Sequence, residues 1–233
     1  MADPVKLQRL LKIKFKNQNL LLEALTHKSF AAEHQVPYDN QRLELLGDAV
    51  VQIILTRYLF DRYTELHEGN LTKIRSALAN QDTLAVFARK INLGSYLLLG
   101  KGEIELNGQN RDSTLSDAFE ALTGAIYLDK GLETATAFFL KIMEEEYADP
   151  SLLLQTLNPK GALQEYTQSV GAGVPQYRIV SVTGPDHEPI HTVEVLVRQK
   201  VICQASASGR KQAECQAAKE ALQILHKEDK VDE

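Results

Sequence analysis

Two stretches of this chain put carboxylates inside apolar helical runs, and no other feature limits its fold as much. In Gln41 to Val50 (QRLELLGDAV), Glu44 and Asp48 are four residues apart. On a helix they share one face, about one turn apart. In Leu115 to Leu122 (LSDAFEAL), Asp117 and Glu120 are three apart and again share a face. A carboxylate among apolar neighbours is costly unless it is paired or holds a cation. Two such helices packed together would aim four carboxylates at one point, and an all-oxygen set of that kind suits Mg²⁺. Taken singly, an acid pair at helical spacing is more often a solvated face. Here Gly47, Ala118, Ala121 and Gly124 flank the acids. Small residues let two helix backbones approach closely, which is what converging short acid side chains need.

The 233 residues are long for one domain and comfortable for two. From residue 5 to about residue 147, apolar residues recur at three and four, as in Leu43, Leu46, Val50, Ile53 and Ile54. That spacing predicts helices, with Ala49 to Glu65 continuing the first acidic run. Leu71 to Lys90 forms one or two more, and Leu132 to Tyr147 the last of this part. Turns are expected at Val36-Pro37, Glu68-Gly69-Asn70 and Asn107-Gly108, and Gly100 to Glu103 also reads as a turn. A linker spans 149–157. The pattern then changes to a helix over Lys160 to Ser169, strands over Gln176 to Thr183, Thr192 to Arg198 and Lys200 to Ser206, and a helix over Gln212 to Leu225. The expected architecture is a mostly α-helical domain over 4–148, then a small α+β module in the order α-β-β-β-α over 158–228.

The net charge of −5 gives no bulk attraction for nucleic acid, so any such contact must come from local basic clusters. Cys203 and Cys215 form no CxxC, which argues against a disulfide framework or a zinc site. The first residues are basic and amphipathic, without the apolar core of a signal peptide. Ala49 to Phe60, the longest apolar stretch, is interrupted by Gln52, Thr56 and Arg57, so no membrane partner is expected and the cytoplasm is the default compartment. There is no HExxH and no GxSxG. Gly94 to Lys101 lacks the spacing and the Ser or Thr of a phosphate loop.

The two acidic runs, together with ALTHKS at 24–29 and SDAFEALTGAIYLD at 116–129, resemble bacterial ribonuclease III, the endonuclease that cuts double-stranded RNA. The resemblance runs from about residue 5 to about residue 226, with several motifs in the family's order. It implies hydrolysis of phosphodiester bonds with Mg²⁺ as cofactor and Mn²⁺ as a substitute, leaving 5′-phosphate and 3′-hydroxyl ends with short 3′ overhangs. It assigns Glu44, Asp48, Asp117 and Glu120 to the metal, with Asp48 and Glu120 indispensable for catalysis. Glu68 and Glu103 match two supporting acids, and Arg111 and Ser113 stand where they could contact phosphate or brace the site. Gln41 is a departure, since the family usually has glutamate there and an amide adds no charge to a metal. Leu45 is another, standing where members often carry a Phe that inserts into a partner subunit. The resemblance implies a homodimer whose two sites cut two strands, and ribosomal RNA precursors as usual substrates. His27 in ALTHKS reads as structural.

Residues 158–233 resemble a double-stranded-RNA-binding domain, on GPDH at 184–187 and RKQAECQAAKEAL at 210–222. Such domains read duplex shape across successive minor grooves and the phosphates between. The resemblance gives RNA contacts to Gln164, Glu165 and Gln168 on the first helix and to Pro185, Asp186 and His187 in a strand-joining loop. Arg210 and Lys211, at the start of the last helix, would grip phosphates. This module carries nine Lys and Arg against ten Asp and Glu, so modest, salt-sensitive affinity is expected. Gly161 replaces a hydroxyl residue common in the family. Two other readings compete: a non-catalytic scaffold that binds duplex RNA, and a helical metal-binding protein unrelated to RNA.

Overall fold

Short polar side chains open the early helices by accepting hydrogen bonds from otherwise unpaired backbone N–H groups. Asp3 accepts from the amides of Val5 and Lys6 at 3.1 and 3.0 Å and starts α1 (Pro4–Leu11). Asn17 starts α2 (Gln18–Leu25), and His27 starts α3 (Lys28–His34). The computed structural model describes residues 3–185 and 187–229 and divides into two units, Met1–Pro150 and Ser151–Glu233. In the first unit follow α4 (Gln41–Arg62), α5 (Glu68–Leu78), α6 (Gln81–Lys90), α7 (Lys101–Glu105), α8 (Asp112–Lys130) and α9 (Leu132–Glu146).

The first unit is built around α8. Leu115, Ala118, Phe119, Ala121, Leu122, Ala125 and Ile126 are all buried, and the helix packs against α2, α4, α6 and α9. A helix apolar on nearly every side must sit inside a core. Phe87 of α6, Phe119 of α8 and Phe139 of α9 form a triangle with ring centroids 5.8–6.0 Å apart. Each such ring contributes on the order of 2–3 kcal/mol by leaving water. The carboxylate of Asp129, at the end of α8, accepts from the amides of Lys16 and Asn17 at 2.8 and 2.7 Å and anchors the turn before α2.

Against α8, α4 packs at glycine distance. A Cβ placed on Gly47 would lie 1.9 Å from the carbonyl oxygen of Glu120, and one on Gly124 would lie 2.5 Å from that of Leu43. No side chain fits at either point, so the small residues between the acids are the condition for the crossing.

In the second unit, α10 (Leu154–Leu157) and α11 (Pro159–Ser169) precede β1 (Gln176–Thr183), β2 (Ile190–Val197), β3 (Lys200–Ala207) and α12 (Arg210–Asp229). The strands pair antiparallel in the order β1-β2-β3. Leu163 of α11, Val195 and Ala205 of the sheet, and Ala217, Ala218, Ala221 and Leu222 of α12 form the core. The small side chains on α12 let it lie close to the sheet. Arg198 and Gln199 turn the β2–β3 hairpin with φ of 50° and 65°. Two positive φ values match the twist of a tight hairpin. The Arg198 guanidinium then donates to the carbonyls of Val170 and Gly171 at 3.2 Å, satisfying the end of α11.

Two expectations need correction. Glu68-Gly69-Asn70 is the first turn of α5, and Lys101 to Glu103 begins α7 after a Gly100 cap. Glycine near a helix start is tolerated because the first N–H groups lack helical partners anyway. Within 149–157, residues Pro150–Leu153 make a 3-10 turn and α10 follows, with Leu154 buried.

Candidate active site

Gln41, Glu44 and Asp48 follow one another along one face of α4, and Asp117 and Glu120 along one face of α8. The glycine crossing places these faces together. Burial and then the charges of Asp48, Glu44 and Asp117 push Glu120 up to about 8. Burial likewise raises Asp117, and burial followed by the charge of Asp117 raises Glu44. Asp48 is exposed and accepts from the Gln52 amide at 3.3 Å. The four carboxylates therefore form one electrostatic site. Their oxygens do not meet at a single point: among the described residues no three His, Cys, Asp or Glu side chains are spaced to hold an ion. Like charges repel, and free side-chain torsions let the carboxylates spread.

The accessory residues separate into two groups. Glu103 of α7 pairs with Arg111 at 3.0 Å, and its charge acts on His27, which in turn acts on Asp117. Arg111 thus braces the start of α8, beside half-buried Ser113. Glu68 does not join the acidic site within one chain. It accepts from Thr72 at 3.0 Å and lines a groove with Thr56 and Phe60. At 1.5 Å per residue that groove lies roughly 15 Å along α4 from Asp48.

His27 has the structural part expected of it. Its Nδ1 accepts from the Ser29 amide at 3.2 Å, and Ser29 Oγ accepts from the Gly100 amide at 2.9 Å. Burial lowers its pKa. Lys28, not singled out from the sequence, stands beside the site: its charge lowers the pKa of both Glu44 and Asp117. It lies within ALTHKS, but that motif does not reveal its role, because its nearness to two helices distant in the chain is tertiary.

The raised carboxyl pKa has a consequence for stability. Glu120 has a folded pKa above its ordinary 4.5. Its contribution is therefore intact below 4.5 and is lost as pH rises through 8. His27, lowered from 6.5, changes in the opposite sense below 6.5. The clear window is thus pH 6.5 to 8. In chelator, stability should fall across that window by about 1 kcal/mol, after discounting for partial exposure. Thermal unfolding at a series of pH values measures it, and a flat or rising profile would contradict the buried cluster.

In the second unit, Gln164, Glu165 and Gln168 are exposed along α11, Pro185 and His187 are exposed in the β1–β2 loop, and Arg210 and Lys211 are exposed at the start of α12. Asp186 lies outside the described residues. Arg210 is already engaged: its Nε donates to Glu214 at 2.9 Å.

Comparison with known proteins agrees with both units. A family profile described as Ribonuclease-III-like matches residues 17–146, and one described as a double-stranded RNA binding motif matches 159–225. Ribonuclease 3 of Sulfurovum sp. (strain NBC37-1) is 43% identical over 229 residues, covering 97% of this chain and 100% of that one. Ribonuclease 3 of Staphylococcus epidermidis is 39% identical, covering 91% and 86%. A solved nuclease domain of ribonuclease III from Campylobacter jejuni, whose description concerns flexibility in a region involved in dimer formation, superposes with a TM-score of 0.59 at 41% identity. It covers 63% of this chain and 99% of its own. With matching profiles over both units and relatives of this identity along almost its whole length, the chain belongs to the ribonuclease III family of double-stranded-RNA endonucleases.

Proposed function

We propose that this chain is a Mg²⁺-dependent endoribonuclease, active as a cytoplasmic homodimer. It hydrolyses both strands of duplex RNA and leaves 5′-phosphate and 3′-hydroxyl ends with short 3′ overhangs. Ribosomal RNA precursors and other structured transcripts are the substrates this reading implies. The α4–α8 crossing carries the reading, because it gathers Glu44, Asp48, Asp117 and Glu120 into one site with Glu120 pushed up to about 8.

The donor set fits a small hard cation. It is all oxygen, and its negative charge exceeds what the neighbouring Lys28 offsets. The four carboxylates would hold Mg²⁺ or Mn²⁺, which when bound polarises the phosphate and makes a water more acidic. Without the metal, burial and the surrounding charges push the Glu120 carboxyl up to about 8, and the proton it keeps there would be displaced by a bound cation. Lys28 offers an ammonium to a phosphate oxygen beside Glu44 and Asp117. Gln41 adds no charge, but its amide can donate to and accept from a ribose hydroxyl. It therefore bears on cleavage-site choice and metal preference.

The homodimer rests on Leu45, which is 77% exposed at a groove of about 670 Å³ that Leu20, Leu46 and Leu128 also line. A two-fold axis makes each leucine count twice. Leu45→Asp should raise the dimer dissociation constant by roughly a thousandfold, at about 2 kcal/mol per buried leucine. Sedimentation equilibrium reads this, and an unchanged dimer would place the interface elsewhere.

The functional test is incubation of a long RNA duplex with the protein in Mg²⁺ and in chelator. Mg²⁺-dependent shortening to fragments with 5′-phosphates supports the reading. Binding without cutting would make the protein a duplex-RNA scaffold, with Gln41 marking the lost chemistry.

A further inference from the structure

Glu214 is a carboxylate that the RNA reading leaves without a role, and it is only 8% exposed. It sits one turn into α12. One oxygen accepts from Lys160 Nζ at 2.7 Å and the other from Arg210 Nε at 2.9 Å. Lys160 belongs to the first turn of α11, and its ammonium also lies 4.4 Å from the centre of the Tyr177 ring on β1. A single carboxylate thus joins the starts of both helices of the module to its first strand. Hydrogen bonds from Lys160 and Arg210 hold its pKa below the ordinary range despite burial.

We infer that Glu214 is a positioning residue for duplex RNA, acting through Arg210. It fixes the plane of the Arg210 guanidinium and sets the start of α12 against the start of α11. The inference rests on the RNA-binding reading of this module. A guanidinium has five N–H donors in a rigid fork. The contact to Glu214 uses Nε, and the Arg210 side chain stays 63% exposed. Donors therefore remain for a phosphate, already oriented and with less freedom to lose on binding. The same clamp keeps the exposed Gln164 and Gln168 of α11 at a set separation from Arg210. Shape recognition across adjacent grooves requires such a separation.

Charge counting and positioning predict opposite signs for one substitution. Removing an acid beside a phosphate-binding arginine should tighten binding if only charge matters. If Glu214 positions Arg210, removing it should weaken binding. The experiment measures affinity of the full-length protein for a short RNA duplex in chelator, so that no cutting intervenes. Unmodified protein, Glu214→Gln, Arg210→Gln and the double variant are compared. The expected result is a loss of about tenfold for Glu214→Gln. Arg210→Gln then costs much less in that background than alone, and the loss under cleavage conditions appears in KM. Arg210→Lys, which keeps the charge and does not unpair a buried acid, should also bind several-fold more weakly, since one ammonium cannot serve Glu214 and a phosphate through a fixed fork. Equal or tighter binding by Glu214→Gln, additive losses in the double variant, or full affinity in Arg210→Lys would overturn the inference. A lowered unfolding temperature with unchanged affinity would reduce Glu214 to a structural ion pair and overturn it too. Failure of the unmodified protein to bind the duplex would instead count against the RNA-binding reading itself.

Discussion

Glu120→Gln should lower Mg²⁺-dependent duplex cleavage by about a thousandfold or more, while the metal-free protein becomes harder to unfold. The two effects share one cause. Glu120 is where burial and the charges of Asp48, Glu44 and Asp117 concentrate. Gln keeps the shape and removes the charge, so the site loses a cation ligand worth several kcal/mol in the transition state. A thousandfold in rate corresponds to about 4 kcal/mol. The same change removes the cost of ionising a crowded carboxyl. At pH 8 that relief should amount to roughly 2 kcal/mol, discounted for the solvent that reaches the group. In a domain of this size it raises the unfolding temperature by about 5 °C. Loss of activity with a gain in stability cannot be blamed on misfolding. Asp48→Asn, at an exposed position, should also lose cleavage but with a smaller gain, because it removes only one of the charges that press on Glu120. Single-turnover cleavage and thermal unfolding in chelator check both halves. Retention of cleavage within tenfold by Glu120→Gln would remove Glu120 from the catalytic set.

The module after residue 158 was legible largely because strands announce themselves by alternation. Alternation over Gln176 to Thr183 predicts a strand that is β1 in full, and β2 and β3 differ from expectation only at their ends. The acidic helices were legible because charges inside an apolar period demand an explanation. Glycine is a poor guide to turns in this chain. Gly69 and Gly102 lie within helices, and a Cβ on either would meet nothing within 4 Å. Their surroundings neither require nor forbid glycine, so the turn signal there was empty. Gly47 carries the same letter under a hard constraint: its place between Glu44 and Asp48 points to a close helix crossing, and the carbonyl of Glu120 is the group it meets there. Lys28 and the Glu214 clamp were hidden. Each depends on partners brought near by packing, and the chain order does not show which solvated-looking charge has one.

Gly47→Val should be the most damaging single change at the crossing, and Gly69→Ala is its control. A Cβ at 47 would sit 1.9 Å from the Glu120 carbonyl oxygen. Real contacts of this kind do not fall below 3.0 Å, so α4 and α8 must separate by at least about 1 Å. Phe119 and Leu122 beside Glu120 are fully buried, and the Phe119 ring packs against Phe87 of α6 and Phe139 of α9, so the shift cannot be absorbed locally. The expected loss of stability is about 3 kcal/mol or more, as for other overpacked cores. The catalytic loss should be separable from unfolding. At a temperature where the variant remains folded, moving Asp48 about 1 Å from Glu120 should still cost on the order of a hundredfold in rate. Gly69→Ala introduces a methyl into open space within a helix, so it should stabilise by up to about 1 kcal/mol. Unfolding curves for the two variants, with cleavage measured well below each midpoint, decide the matter. If Gly47→Val unfolds no earlier than Gly69→Ala, the close crossing is not what holds the acidic site together.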